Sequence, residues 1–327
     1  MIIGVSATAQ MMPDSTIQFC SYWSPGEKQT YHKIEREYKV VGNDTTEMKI
    51  NTEIHILEVL AQTDSTYKLK VTYTKPWSSD PAELEVLNHI TETAKDMSVY
   101  LTTDEFGSIL SIDNLNELVA YQMTGLEPAI EVIRRQKGDN VTEEEMAQIR
   151  EAAAQSLNNT EVIKKSIMEE TGRMLFFHGT RMKLGEEYSG TTSVDSPILG
   201  KDSPLVMDVV YWIDEDYSDD YSAVARSYSS ANEKTMTDFT LEAFNHIMVD
   251  AGLSKKEVKK GMKEMDNTLK QLKLSMEESL ATEVHLNTGW PLATYFYRSI
   301  YSNKNGVTTE KVNEMEIMIE LQNTSEE

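Results

Sequence analysis

Six histidines and one cysteine bound the chemistry this chain can perform. The histidines are His32, His55, His89, His178, His246 and His285. No two stand four residues apart on a helical pattern, and no His-Glu-x-x-His run occurs, so a helical zinc site is not encoded. His55 alternates with Ile54 and Ile56, which assigns it to the polar face of a strand. His89 and His246 fall inside helical patterns. The lone Cys20 excludes an intrachain disulfide and any multi-thiolate metal site. It sits in Ile17-Gln18-Phe19-Cys20-Ser21-Tyr22-Trp23, where alternation puts Ile17, Phe19 and Trp23 on one face and Cys20 on the other.

Motif-borne chemistries are missing. There is no Gly-x-Ser-x-Gly elbow, phosphate loop or dinucleotide fingerprint, and Tyr188-Ser189-Gly190 lacks the flanking glycine an elbow needs. With 54 acidic residues, no carboxylate pair stands out for acid–base work. The acidic run Asp214 to Asp220 invites a calcium reading. Measured against an EF-hand it has no glycine at the sixth position, and Ala225 stands where a bidentate glutamate belongs. A solvated hairpin tip is the expectation there. No catalytic, cofactor-binding or metal-binding residue is assigned, and no cofactor is expected. An enzyme would need a dispersed site bringing His178 or His285 beside a carboxylate and a hydroxyl.

The elements that would position such groups begin with a meander. Tyr67, Leu69, Val71 and Tyr73 alternate with Lys68, Lys70 and Thr72, the period of a strand with one buried face. Met48, Ile50, Thr52, Ile54 and Ile56 alternate upstream with Lys49, Asn51, Glu53 and His55. Ile34, Tyr38 and Val40 alternate with Glu35, Glu37 and Lys39, and Gly42-Asn43-Asp44 supplies a turn. This predicts three long antiparallel strands with the isoleucine faces inward. A helix is predicted over 82–97, strands over 99–102 and 108–112, and helices through 125–177. Pro128 starts one helix, Gly138 ends it, and Thr142 to Glu145 form a capping box. Strands return at 205–213 and 221–228. Helices follow at 240–251 and 255–272, the second opened by the Ser254 to Glu257 box. Strands then close the chain to Leu321, with Asn305-Gly306 as a hairpin turn.

The fold class expected is α+β: large, curved antiparallel sheets of long strands covered by amphipathic helices, with two halves of similar layout. The organisation expected is a signal-peptide remnant at 1–9, a meander plus helical block at 10–180, a strands-helices-strands half at 181–323 and a loose tail at 324–327. The remnant rests on Ala7-Thr8-Ala9, an A-x-A cleavage pattern with Gln10 first in the mature chain, and predicts a periplasmic or secreted protein. A net charge of −23 repels phosphate backbones and argues against nucleic-acid partners. No apolar run approaches the roughly 20 residues of a membrane helix, so the chain is not expected to span a membrane.

Ala7-Thr8-Ala9, the Trp23-Ser24-Pro25-Gly26-Glu27 turn, the meander to Tyr73 and the Asn287-Thr288-Gly289-Trp290-Pro291 turn together resemble secreted β-rich proteins of Gram-negative bacteria that have no established activity. Some of these are similar, at fold level, to periplasmic lipoprotein carriers, in which a curved sheet and covering helices enclose an apolar groove. The resemblance implies a non-enzymatic binding protein for an apolar ligand or a partner's segment. A structural or interaction module without a cavity, and a hydrolase-like enzyme with a dispersed site, are the alternatives. A cavity between sheet and helices separates them.

Overall fold

A curved antiparallel sheet of eleven strands forms the frame, and helices lie against it. The computed structural model describes residues 12, 14–94, 96–138, 141–196, 200–214, 221–304 and 306–320. The segments proposed as a signal remnant and tail, Asn305, and most of the acidic run after Asp214 lie outside the described residues. In chain order the elements are β1 (Thr16–Gln18), β2 (Lys28–Val41), β3 (Asp44–Gln62), β4 (Thr66–Ser78), α1 (Pro81–Thr93), β5 (Met97–Asp104), β6 (Ile109–Ile112), α2 (Leu115–Met123), α3 (Leu126–Lys137), α4 (Glu143–Leu157) and α5 (Thr160–Met174). They continue with β7 (Arg181–Lys183), β8 (Tyr188–Ser196), β9 (Gly200–Ile213), β10 (Ser222–Ala231), α6 (Glu233–Asp250), α7 (Lys255–Leu272), β11 (Ser275–His285), β12 (Pro291–Lys304) and β13 (Val307–Ile319). The order across the large sheet is β6-β5-β4-β3-β2-β13-β12-β11-β10-β9-β8, while β1 pairs with β7 apart from it. The architecture is therefore α+β, with a single large sheet in which β2 and β13, from opposite ends of the chain, meet at the centre.

Local chemistry sets the boundaries. Asp80 caps α1 and Pro81 occupies its first turn, where a missing N–H costs nothing. Both expected capping boxes form, at Thr142 and Glu145 and at Ser254 and Glu257. Asn159 caps α5. The α6 helix starts at Glu233 behind an Asn232 cap, earlier than the apolar pattern alone indicates. Strand β4 runs through Pro76 because the ladder breaks there: Thr52 faces Trp77 and Ile54 faces Thr74, leaving Lys75 and Pro76 in a bulge with Lys75 at φ 52°. The local likeness between the halves falls on unlike places. Val99 to Thr103 lies within β5, whereas Val284 and His285 end β11 and the next three residues form a turn.

The expected faces of β2 and β3 are reversed. Leu57 and Val59 are fully buried together with His55, so Glu53 and His55 point into the concave side. Ile54 and Ile56 lie half-buried on the convex side. On β2, Tyr31 and Lys33 are buried, and register pairs Tyr31 with His55 and Lys33 with Glu53. In β4 the expected face, Tyr67, Leu69, Val71 and Tyr73, does form the core. The concave face continues through Ile317 and Met315 of β13, Phe296 of β12, Leu280 of β11, Ala225 of β10 and Ile213 of β9.

Helix α5 lies on this face and sinks Ile163, Ile167 and Met174 into the main core. Full burial of each such side chain contributes about 1.5–3 kcal/mol. At the far ends of the strands, α6 covers Leu205, Met207, Ala231 and Met276 through Met236. By strand alternation these residues share the concave face with Val209 and Leu280. The α3 and α4 pair forms its own small core around Leu126, Ile130 and Met146.

Candidate functional site

Helix α5 divides the concave face into a closed side and an open side. On the closed side Glu170 projects onto β2 and β3. Its Oε1 lies 2.6 Å from Lys33 Nζ and its Oε2 3.9 Å from His55 Nε2. Glu35 stands 3.6 Å from the same ammonium, and Glu53 accepts from His55 Nε2 or sits against it at 3.1 Å. Tyr73 packs edge-on against the His55 ring, and its hydroxyl meets Thr171 Oγ1 at 2.7 Å. Burial by itself would pull Lys33 down, but Glu170 and Glu35 outweigh it and hold the ammonium above the usual lysine range. Burial would likewise raise Glu170, yet Lys33 and His55 keep it below the ordinary carboxylate value. Burial pushes the Tyr73 phenol far above its normal range. This network is where a histidine, carboxylates and a hydroxyl converge. Glu53, His55 and Glu170 could between them hold a metal ion geometrically. The His55 side chain is sealed, however, and the Lys33 ammonium already supplies the positive charge. The arrangement bolts α5 to the sheet.

The two histidines singled out for a dispersed enzyme stand elsewhere. His178 is buried behind α5 in an aromatic cluster at one end of the sheet. Trp23 stacks on Trp290 at 4.7 Å and contacts Tyr67 and His178. His178 Nε2 bonds the Gly289 carbonyl at 2.8 Å, and burial pulls its imidazole down to about 4. Its Nδ1 has no partner among the described residues, and no carboxylate lies within ion-pair distance. Gly289 has φ +74°, and a Cβ there would stand 2.0 Å from the Cys20 carbonyl oxygen. The His285 ring meets Thr288 Oγ1 at 2.8 Å, its one side-chain partner among the described residues. Among the described residues neither histidine stands beside both a carboxylate and a hydroxyl. Cys20 is half-buried, and burial raises its thiol above the usual value, which suppresses the reactive thiolate. Asp214, the first residue of the acidic run, is engaged by the Arg226 guanidinium at 2.7 Å.

On the other side a groove remains, with its deepest residues Val209, Leu280 and Phe296 buried and Met168 and Phe176 exposed at its rim. A groove of about 440 Å³ runs between α5 and strands β8 to β12. Lys165, Met168, Glu169, Arg173 and Phe176 form the helical wall. Val209, Tyr211, Leu280 and Phe296 line the floor, with Ser227, Ser229, Glu278 and Arg298 among them. Phe176 and Tyr211 also wall a neighbouring apolar hollow of about 260 Å³, completed by Phe177, Thr180, Met182 and Tyr188. The Phe176 and Tyr211 rings stack at 6.3 Å. Phe176 is 46 % exposed, an apolar rim side chain with no cover. Arg173 lies with its guanidinium carbon 3.5 Å from the centre of the Phe296 ring, and Arg298 stands 5.4 Å from the same ring. Arg298 is neutralised by Glu278.

A larger hollow of about 630 Å³ separates α1 and α3. Its walls carry Glu85, Glu92, Glu127 and Glu131 around His89, with Pro81, Leu84 and Pro128 between them, so carboxylates ring an apolar strip. The groove was invisible to motif reading because its walls come from six elements. The Arg173-Met174-Leu175-Phe176-Phe177 run, a cation followed by bulky apolar residues at a helix end, was the one local signal.

No protein-family model matches the chain, and no curated protein matches it. Among solved structures, lipovitellin, in a structure concerned with lipid–protein interactions, aligns over 91% of this chain and 25% of its own length at 7% identity and a TM-score of 0.37. The chain thus spans about a quarter of that protein. A porin of Rh. blastica aligns over 89% of this chain and 100% of its own at 6% identity and TM-score 0.19. An outer membrane protein of Vibrio cholerae aligns over 90% and 100% at 7% identity and TM-score 0.19. Scores this low carry no inference about what this chain binds. None of the helices among the described residues is long and apolar enough to cross a membrane.

Proposed function

We propose that this chain is a non-enzymatic binding protein that takes an apolar ligand into the groove between α5 and strands β8 to β12. The observation behind this reading is the asymmetry of the concave face. One side is filled by α5, the ion network and the core. The other leaves a groove of about 440 Å³ with apolar side chains, Met168 and Phe176, exposed at its rim, a size within the usual 300–1,000 Å³ of small-molecule sites. Rigid walls suit a preformed site: α5 is fixed by Lys33 and Glu170, and the floor is hydrogen-bonded sheet. The histidines and the cysteine stand outside the groove, which favours binding over catalysis. The Ala7-Thr8-Ala9 pattern supports an exported location, periplasmic or secreted.

The test is a titration with N-phenyl-1-naphthylamine, a neutral dye that brightens in apolar sites. Saturable binding at one site per chain, lost when Ser227 is replaced by Phe, is expected. A wild-type protein that binds no dye overturns the reading.

A further inference from the structure

In a protein with 31 basic and 54 acidic side chains, the groove inverts the balance: Lys165, Arg173 and Arg298 face Glu169 and Glu278. Within that set Arg173 is distinctive. Arg298 gives its Nε–H to Glu278 and has Glu169 at 4.0 Å. Arg173 has no carboxylate within 4.0 Å among the described residues, and none of its five N–H donors meets an acceptor there. Its intramolecular company is the Phe296 face below and the C-terminal end of α5, both mildly favourable to a cation. Burial, with Arg298 adding to it, lowers this arginine to about 10 against the pull of Glu169, Glu278 and Glu35. The guanidinium is half-buried and has no carboxylate partner among the described residues, so an oxyanion reaching it would gain a charge-assisted pair. Its backbone is held in place, since the Arg173 carbonyl accepts from Thr282 on β11.

We infer that the ligand of this groove is an amphiphile with an oxyanion head, carboxylate or phosphate, bound by Arg173 at the edge of the Phe296 ring, with its chain along Met168 and Tyr211 toward Phe176. This rests on the binding reading above and adds the headgroup. A planar guanidinium matches a carboxylate or phosphate with two parallel hydrogen bonds. The five-donor fork of Arg173 stands in a groove of mixed lining beside the apolar strip of Met168, Tyr211 and Phe176, a layout that suits a single-headed, single-chain anion. Glu169 and Glu278 on the same walls disfavour polyanions and keep the site selective for a small charge.

The experiment displaces bound N-phenyl-1-naphthylamine from the full chain with dodecanoate, dodecyl phosphate, dodecan-1-ol, acetate and inorganic phosphate, in wild type and in Arg173→Met. Met retains much of the apolar stem over Phe296, and thermal melting checks that the variant is folded. Expected are dodecanoate and dodecyl phosphate displacing at concentrations at least tenfold below dodecan-1-ol, with acetate and phosphate inert, and loss of that preference in R173M. The wild-type ratio stands as a test even if the variant does not fold. Equal potency of acid and alcohol in wild type overturns the headgroup inference and leaves the groove reading in place. Displacement by acetate or phosphate as strong as by the long-chain anions makes the site one for free anions and overturns the amphiphile. A wild type that never binds the dye overturns both.

Discussion

Lys33 on β2 and Glu170 on α5 meet at 2.6 Å beneath a helix that covers half the concave face. Removing one partner of a buried pair leaves the other charge uncompensated, which costs roughly 3–5 kcal/mol. Lys33→Met and Glu170→Gln are each expected to destabilise by about that much in urea unfolding. The double variant should cost clearly less than the sum, because neither member of the pair is then left facing the other's vacancy, although Glu35 still loses its Lys33 partner. Strict additivity would show that the pair does not fasten α5.

The pair also sets pH limits. Glu170 is held below its ordinary value, so its contribution is present above about pH 4.5 and is lost as pH falls through its folded value. Lys33 is held above its ordinary value, so its contribution is present below about pH 10.5 and is lost as pH rises through its folded value. Between these limits the pair should add no slope to stability against pH.

His178 acts in a different window. Its imidazole falls from 6.5 to about 4 on folding, so its contribution is complete above 6.5 and drains away as pH falls toward 4. The shift corresponds to about 3 kcal/mol over that interval. Unfolding free energy measured from pH 7 to 4 should fall by that order, and His178→Gln should flatten the slope while lowering stability at pH 7. An unchanged slope in the variant would remove His178 as its source.

Gly289 and Gly138 both have positive φ, but only Gly289 faces backbone. Gly138→Ala is expected to cost about 1–3 kcal/mol from backbone strain alone, since φ 55° with ψ −143° is a conformation that only glycine adopts freely. Gly289→Ala must also displace the Cys20 carbonyl and open the Trp23 and Trp290 stack, so its loss in chemical denaturation should exceed that of Gly138→Ala several-fold.

How far the sequence could be read follows from where these residues fall. Alternation located β2, β3 and β4, and capping signals placed α4 and α7. Periodicity could not say which face of β2 and β3 turned inward, because the inward face carries Lys33, Glu35, Glu53 and His55. Those polar groups are satisfied there by one another, by Asn313 and by Glu170 arriving from a distant helix. The edge strand β8, Tyr-Ser-Gly-Thr-Thr-Ser-Val-Asp-Ser, has no apolar alternation and left no strand signal. The groove depends on Arg173, Phe296 and Tyr211 meeting across α5, β12 and β9, a relation set by strand order and carried by no local pattern.

The central claim is that the open half of the concave face is a ligand site. The most direct measurement is a structure determined with dodecanoate bound. The account predicts chain density between α5 and β11 with the carboxylate on Arg173. Density confined to the α1–α3 cleft, or an unoccupied groove in protein that binds the ligand stoichiometrically in solution, would contradict it.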